Sequence, residues 1–144
     1  MVMPCLFFDM QHISYLALGT NLGDKERNLQ LALEKIAENI GKISAVSSIY
    51  ASEAWGYKSK NRFLNQVARI ETILSPLELL KAVQVIETQM GRVRNNSGRY
   101  HDRIIDIDII LYDDLVCRSE ELTIPHPLYR QRPFVWKPLE EILQ

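Results

Sequence analysis

Cysteine is scarce in this chain. Cys5 and Cys117 stand far apart, with no histidine or cysteine neighbours at metal-ligand spacing. That leaves no disulfide framework and no zinc signature, and it fits a reducing, cytoplasmic compartment. Net charge is scarce too. The chain has 17 Lys and Arg against 18 Asp and Glu, a formal balance of −1. Nothing in that balance points to a nucleic-acid or membrane surface, so neither partner is expected. Long apolar runs are missing: Met1 to Phe8 is too short to span a bilayer and lacks a basic start and a small-residue cleavage site. There is no internal repeat, low-complexity tract or linker. The glycines Gly19 and Gly23 are not followed by G-K-[ST], so a Walker-A loop is excluded, and no serine–histidine–acid trio suggests a hydrolase. What is present is ordinary for one soluble domain: 144 residues, 47% hydrophobic and 24% charged. We read 1–13 as a loosely ordered lead-in and 14–144 as the domain.

The pattern predicts β-α-β-β-α-β, the split βαβ arrangement. Tyr15 to Leu18 is a short buried strand ending in the turn cluster Gly19 to Gly23. Asp24 caps a helix with an apolar stripe at Leu29, Ala32, Leu33, Ile36 and Ile40, stopped by Gly41. Ile43 to Tyr50 reads as one strand and Ala51 to Arg62 as a polar loop. Phe63 to Ile73 alternates as a strand. Ser75-Pro76-Leu77-Glu78 is a capping box. The helix it opens turns Leu79, Leu80, Val83, Ile86 and Met90 inward and ends at Gly91. The helices are expected on one face of a mainly antiparallel sheet, leaving the opposite face of the middle strands for a site. After Leu115 the chain looks irregular and is expected to pack across the sheet and close a cleft rather than form core.

The densest chemistry lies in Arg103-Ile-Ile-Asp106-Ile-Asp108-Ile-Ile-Leu111. On a strand Ile105, Ile107, Ile109 and Leu111 share one face, and Asp106 and Asp108 share the other. The two carboxylates then lie roughly 7 Å apart at Cβ, which suits hard cations completed by phosphate oxygens. A strand with one wet face would show the same alternation. Arg92, Arg94, Arg99 and Arg103 crowd the preceding stretch. Together with two acids they supply what phosphoryl transfer needs, although Arg92 and Arg94 also suit a helix C-terminus. Gln84 and Glu87 share a helix face, as a solvated flank or as a nucleotide contact. His126, between Pro125 and Pro127, is a candidate phosphate contact. Asn65 is unusual in a strand, where a buried amide facing a cleft can read the edge of a heterocycle.

Taken in order, Leu18-Gly-Thr-Asn-Leu-Gly-Asp24, Phe63-Leu-Asn65, Gln84-x-x-Glu87, Gly91-Arg-Val-Arg94, Arg103-x-x-Asp106-Ile-Asp108-Ile, Thr123-Ile-Pro-His126 and Arg132-x-Phe134 resemble one family, the 6-hydroxymethyl-7,8-dihydropterin pyrophosphokinases of folate biosynthesis. The resemblance covers about residues 14 to 142. It implies a ferredoxin-like α+β fold in three α/β/α layers, a monomer and two Mg²⁺ ions. It also implies transfer of a diphosphoryl group from ATP to the hydroxymethyl of a reduced pterin, with release of AMP. Asp106 and Asp108 would bind both metals, and Arg92 and Arg103 would hold and stabilise the phosphates. Gln84, Glu87, Arg94, Tyr100, Ile109, Thr123, His126 and Arg132 would contact ATP. Phe63 and Phe134 would sandwich the pterin, Asn65 would pair with its pyrimidine edge, and Ser52, Glu53 and Trp55 would stand in the pterin loop.

Some positions depart from the family pattern. Tyr100-His101-Asp102-Arg103 replaces W-G-P-R, which changes the lid hinge. Phe63 stands where tyrosine is common, Glu53 and Ala54 replace a more proline-rich pair, and Glu121 sits where an arginine can touch ATP. A metal-dependent phosphodiesterase, a ferredoxin-like RNA-binding module and an inactive scaffold are the competing readings. The neutral charge and acidic strand argue against the second, and the retained acids and arginines argue against the third.

Overall fold

The central strand, β1 (His12–Thr20), lies between two antiparallel neighbours, β4 (Phe63–Thr72) and β5 (Asp106–Tyr112). The structure is a computed structural model that describes residues 11–54, 59–91 and 102–143. β2 (Lys42–Val46) and β3 (Tyr50–Ser52) share the outer edge of β4, giving the path β2-β4-β1-β5 with β3 beside β4. Two helices, α1 (Lys25–Asn39) and α2 (Pro76–Gln89), connect these strands. β6 (Cys117–Arg118) and β7 (Thr123–Ile124) form a small hairpin, and α3 (Pro133–Ile142) closes the chain. This is the expected split βαβ order in an antiparallel sheet. Among the described residues no helix is long and apolar enough to cross a membrane.

The local signals act as expected. The Asp24 side chain accepts from Arg27 N–H, and Ser75 with Glu78 makes both bonds of a capping box. Leu29, Ala32, Ile36, Leu79, Val83 and Ile86 bury against Leu16, Leu18, Ile70, Ile105 and Ile107. Gly41 follows α1 for a reason other than a left-handed turn. A Cβ there would stand 2.1 Å from the Glu71 carbonyl oxygen, so only glycine lets the helix end pass β4 this closely.

Four expectations change. Residues 12 and 13, read with the lead-in, belong to the sheet: β1 begins at His12, whose Nδ1 lies 2.6 Å from Asp113 Oδ2, while Ile13 N–H donates to Asp113 Oδ1. The single strand from Ile43 to Tyr50 is two strands. Serines interrupt it, with Ser47 Oγ taking the Val67 N–H and Ser48 bonding the Glu141 carboxylate through its N–H and hydroxyl. Leu111 does not stay with Ile105, Ile107 and Ile109. Leu16 pairs with Ile109 and Tyr15 with Leu111, so Ile110 is an extra residue, a β-bulge that shifts the alternation. Finally, the end of the chain does form core. Pro133 starts α3, where proline is tolerated, and Val135 and Leu139 bury on Tyr15, Ala17, Val67 and Ile110 across the face opposite α1 and α2. The result is three layers.

Candidate active site

Because α3 covers only part of that face, a cleft of about 590 Å³ remains where β1 ends and β4 and β5 begin. Its floor follows from strand register. Gly19 pairs with Asn65 on one side and Asp106 on the other, and Ala17 pairs with Val67 and Asp108. The central strand thus puts its smallest residues between an amide and two carboxylates. A Cβ on Gly19 would meet Asn65 Oδ1 at 3.4 Å and the Phe63 ring at 3.5 Å, so a side chain there would fill the slot. Two interstrand spacings set Asn65 and Asp106 about 10 Å apart at Cα.

Nine of the residues expected from sequence line this cleft: Ser52, Glu53, Phe63, Asn65, Arg103, Asp106, Asp108, Arg132 and Phe134. Asp106 and Asp108 are half-exposed, whereas Ile105, Ile107 and Ile109 are buried on the helix side. The alternation read from sequence holds up to the bulge. Arg103 Nη1 lies 3.3 Å from Asp106 Oδ2, placing the guanidinium beside the acids. The Asn65 amide is fixed by its partners: both hydrogens are used, one on the Tyr50 carbonyl at 2.9 Å and one on Ser52 Oγ at 2.8 Å. Its Oδ1 therefore faces the slot beside Gly19 as an acceptor, and a ligand edge there must donate.

Another group follows the outer edge of β5. Glu87 is buried, and its Oε2 accepts from Ile107 N–H at 2.8 Å, so it is no solvated helix flank. Gln84 lies half-buried one turn earlier on α2. His126 N–H donates to the Ile110 carbonyl at 3.0 Å, and Thr123 opens β7 beside it. The Ile109 side chain lies in the helix-side core, so only its main chain remains for a ligand. Burial, and then the positive charge of Arg132, pull the His126 imidazole below its usual pKa, with Asp106 pulling the other way. Nδ1 accepts from Leu128 N–H at 3.3 Å. The neutral ring therefore carries its proton on Nε2, a donor suited to an anionic oxygen. Trp55, Arg92, Arg94 and Tyr100 lie outside the described residues.

Among the described residues no cluster of three or more His, Cys, Asp or Glu could hold a metal ion. The donor set is instead the Asp106–Asp108 pair. Mg²⁺ is commonly held by one or two carboxylates, with substrate phosphates and water completing its shell, so this pair fits it. Two residues of this site carried no sequence signal of their own. Gly19 looked like turn punctuation. Asn21 belonged to the same turn, yet it is 2% exposed and its side-chain Oδ1 accepts from Arg103 N–H at 2.8 Å.

The family model described as 7,8-dihydro-6-hydroxymethylpterin-pyrophosphokinase (HPPK) matches residues 15–144. The chain is 42% identical over 132 residues to the 2-amino-4-hydroxy-6-hydroxymethyldihydropteridine pyrophosphokinase of Porphyromonas gingivalis, covering 90% of each chain. It is 40% identical over 136 residues to the Bacillus subtilis protein of the same name, covering 94% of this chain and 80% of that one. Its fold is similar to a crystal structure of Plasmodium falciparum HPPK-DHPS, with a TM-score of 0.76 at 16% identity over 93% of this chain and 40% of that chain. The slot, the acidic pair and these similarities converge: the chain belongs to the hydroxymethyl-dihydropterin pyrophosphokinase family, diphosphotransferases of folate biosynthesis that use ATP as co-substrate.

Proposed function

We propose that the cleft holds 6-hydroxymethyl-7,8-dihydropterin at its Asn65 end and the polyphosphate of ATP at its Asp106–Asp108 end. The observation that carries this reading is the row Asn65–Gly19–Asp106 across three strands. It spaces a heterocycle-reading acceptor from two carboxylates by about 10 Å, enough for a bicyclic ring and its hydroxymethyl arm. Phe63 and Phe134 flank the ring, and Asn65 Oδ1 accepts from the donor-rich pyrimidine edge. Ser52 locks the Asn65 amide, Glu53 lines the same cleft, and Trp55 is assigned to the pterin by the family resemblance alone.

On the nucleotide side, Gln84, Glu87, Ile109, Thr123 and His126 line the route of ATP along the outer edge of β5. Arg132 and Arg103 meet the phosphates, and Arg92, Arg94 and Tyr100 act from the segment before Arg103. Asp106 and Asp108 hold two Mg²⁺ ions, which when bound neutralise the polyphosphate and align it. The pterin hydroxyl oxygen attacks the β-phosphorus in line. The new bond joins that oxygen to phosphorus, and the bond from the β-phosphorus to the bridging α,β-oxygen breaks. AMP leaves with that electron pair while Asp108 draws off the hydroxyl proton. Arg103 stabilises the charge gathered on the transferring group. The enzyme acts as a cytoplasmic monomer on these small molecules.

An AMP-release assay with and without 6-hydroxymethyl-7,8-dihydropterin tests the reading. AMP is expected only when pterin and Mg²⁺ are both present. Equal AMP release without pterin, or pterin-independent cleavage of nucleic acid, would favour a phosphodiesterase and overturn it.

A further inference from the structure

Residues 102 and 103 belong to no strand, yet Arg103 must hold its guanidinium against Asp106 three residues later. Asn21 fixes this stretch from the end of β1. Its N–H donates to the Arg103 carbonyl at 3.1 Å, and its side-chain oxygen takes the Arg103 N–H at 2.8 Å. Its Nδ2 donates to Asp102 Oδ1 at 2.8 Å and to the Asn61 carbonyl at 3.2 Å. Asn61, two residues before Phe63, completes the arrangement by donating Nδ2 to Asp102 Oδ2 at 2.8 Å. Each oxygen of the Asp102 carboxylate thus takes an amide hydrogen, one from the residue just past the strand that floors the cleft and one from the loop that leads into its wall. Hydrogen bonds to an ionised acceptor are about twice as strong as neutral ones, so this small cluster can restrain a stretch with no ladder of its own.

We propose that Asp102 is a positioning residue for diphosphoryl transfer, clamped by Asn21 and Asn61 so that Arg103 is held over Asp106 and tied to the loop that leads to Phe63. The proposal rests on the reaction assigned above and on the role given there to Arg103. Asp102 itself is not among the residues that line the cleft. It acts by removing freedom from the arginine, and a displacement of about 1 Å at such a group is enough to cost catalysis.

The test compares Asp102→Ala, Asn61→Asp and the exchanged pair Asn61→Asp with Asp102→Asn. Asn61→Asp sets two carboxylates against each other, whereas the exchanged pair restores the wild-type charge and again faces one amide donor with one carboxylate. Asp102→Ala and Asn61→Asp are expected to lower kcat for pterin-dependent AMP release about tenfold, leaving the KM values for ATP and pterin within about twofold. The exchanged pair should recover most of the loss relative to Asn61→Asp alone. Thermal midpoints accompany each variant. If Asp102→Ala does not fold, the exchanged pair against Asn61→Asp decides. The proposal is overturned if the single variants keep kcat within twofold, if the loss falls on KM alone, or if the exchanged pair does no better than Asn61→Asp. A wild-type protein that releases no AMP sinks the assigned reaction and this role together, whereas an active wild type with indifferent variants sinks the role alone.

Discussion

One face of the sheet is put to two opposite uses. Toward one end, Tyr15, Val67 and Ile110 are sealed beneath Val135 and Leu139 of α3, with Ala17 at the boundary of the cleft. Toward the other end the same three strands present Gly19, Asn65, Asp106 and Asp108 to an open cleft. The strands and the face are shared; the side chains differ, and the bulge at Ile110 separates the two stretches of β5. Core packing and cleft lining are thereby separated along the strands. The sealed half supplies apolar burial. The open half keeps its polar groups at a cleft rather than in the core, where burial without partners would be costly.

That separation can be attacked from either side. Asp108→Ala should produce the largest effect, a fall in kcat on the order of 10³-fold or more, since metal-assisted charge stabilisation is worth several kcal/mol. The thermal midpoint should hardly move, and near-normal turnover would remove the acidic pair from the chemistry. Leu139→Ala is the converse case. It should cost about 2–4 kcal/mol of stability by denaturant titration, while kcat for the folded fraction stays within a few-fold. A large kcat loss at full folding would show the halves to be coupled. Arg103→Ala should lower kcat by on the order of 10²-fold, and a change confined to KM would make it a binding group only.

Tyr112→Phe gives the smallest effect, about 1 kcal/mol, through loss of the 2.5 Å hydrogen bond from its hydroxyl to the Leu74 carbonyl. It also carries a pH signature. Burial, then the nearby Asp113 and Glu78 carboxylates, push the Tyr112 pKa up to about 12. A group whose folded pKa is raised contributes stability below its unfolded pKa and loses it as pH rises through the folded value. Wild-type stability should therefore fall between about pH 10 and pH 12, and the decline should be shallower in Tyr112→Phe. Equal alkaline profiles would contradict the cause given.

Much of this was legible in the sequence because it is local. Caps at Asp24 and Ser75, the helix stripes and the Asp106–Asp108 alternation depend on residues a few positions apart, and they read correctly. Asn65 was legible because asparagine is out of place in a strand. What escaped depends on pairing between distant segments. Gly19 matters because register sets it between Asn65 and Asp106, and Asn21 because it meets residues some eighty positions away. Glu87 was ambiguous until the rotation of α2 against β5 put its carboxylate on the Ile107 amide. α3 was missed for a different reason: the chain after Leu115 looked irregular, although Pro133 sits at a helix's opening turn, where proline is accepted, and Val135 and Leu139 bury well.

The bulge at Ile110 acts as a phase slip between two messages written on one strand. Upstream of it, parity selects the residues that line the cleft; downstream, parity is reset so that two consecutive aliphatic residues, Ile110 and Leu111, serve the α3 layer. The two stretches can accordingly drift independently under mutation. A one-residue deletion at the slip would force them back into a single rhythm, turning either the cleft-facing residues or the packing residues to the wrong side.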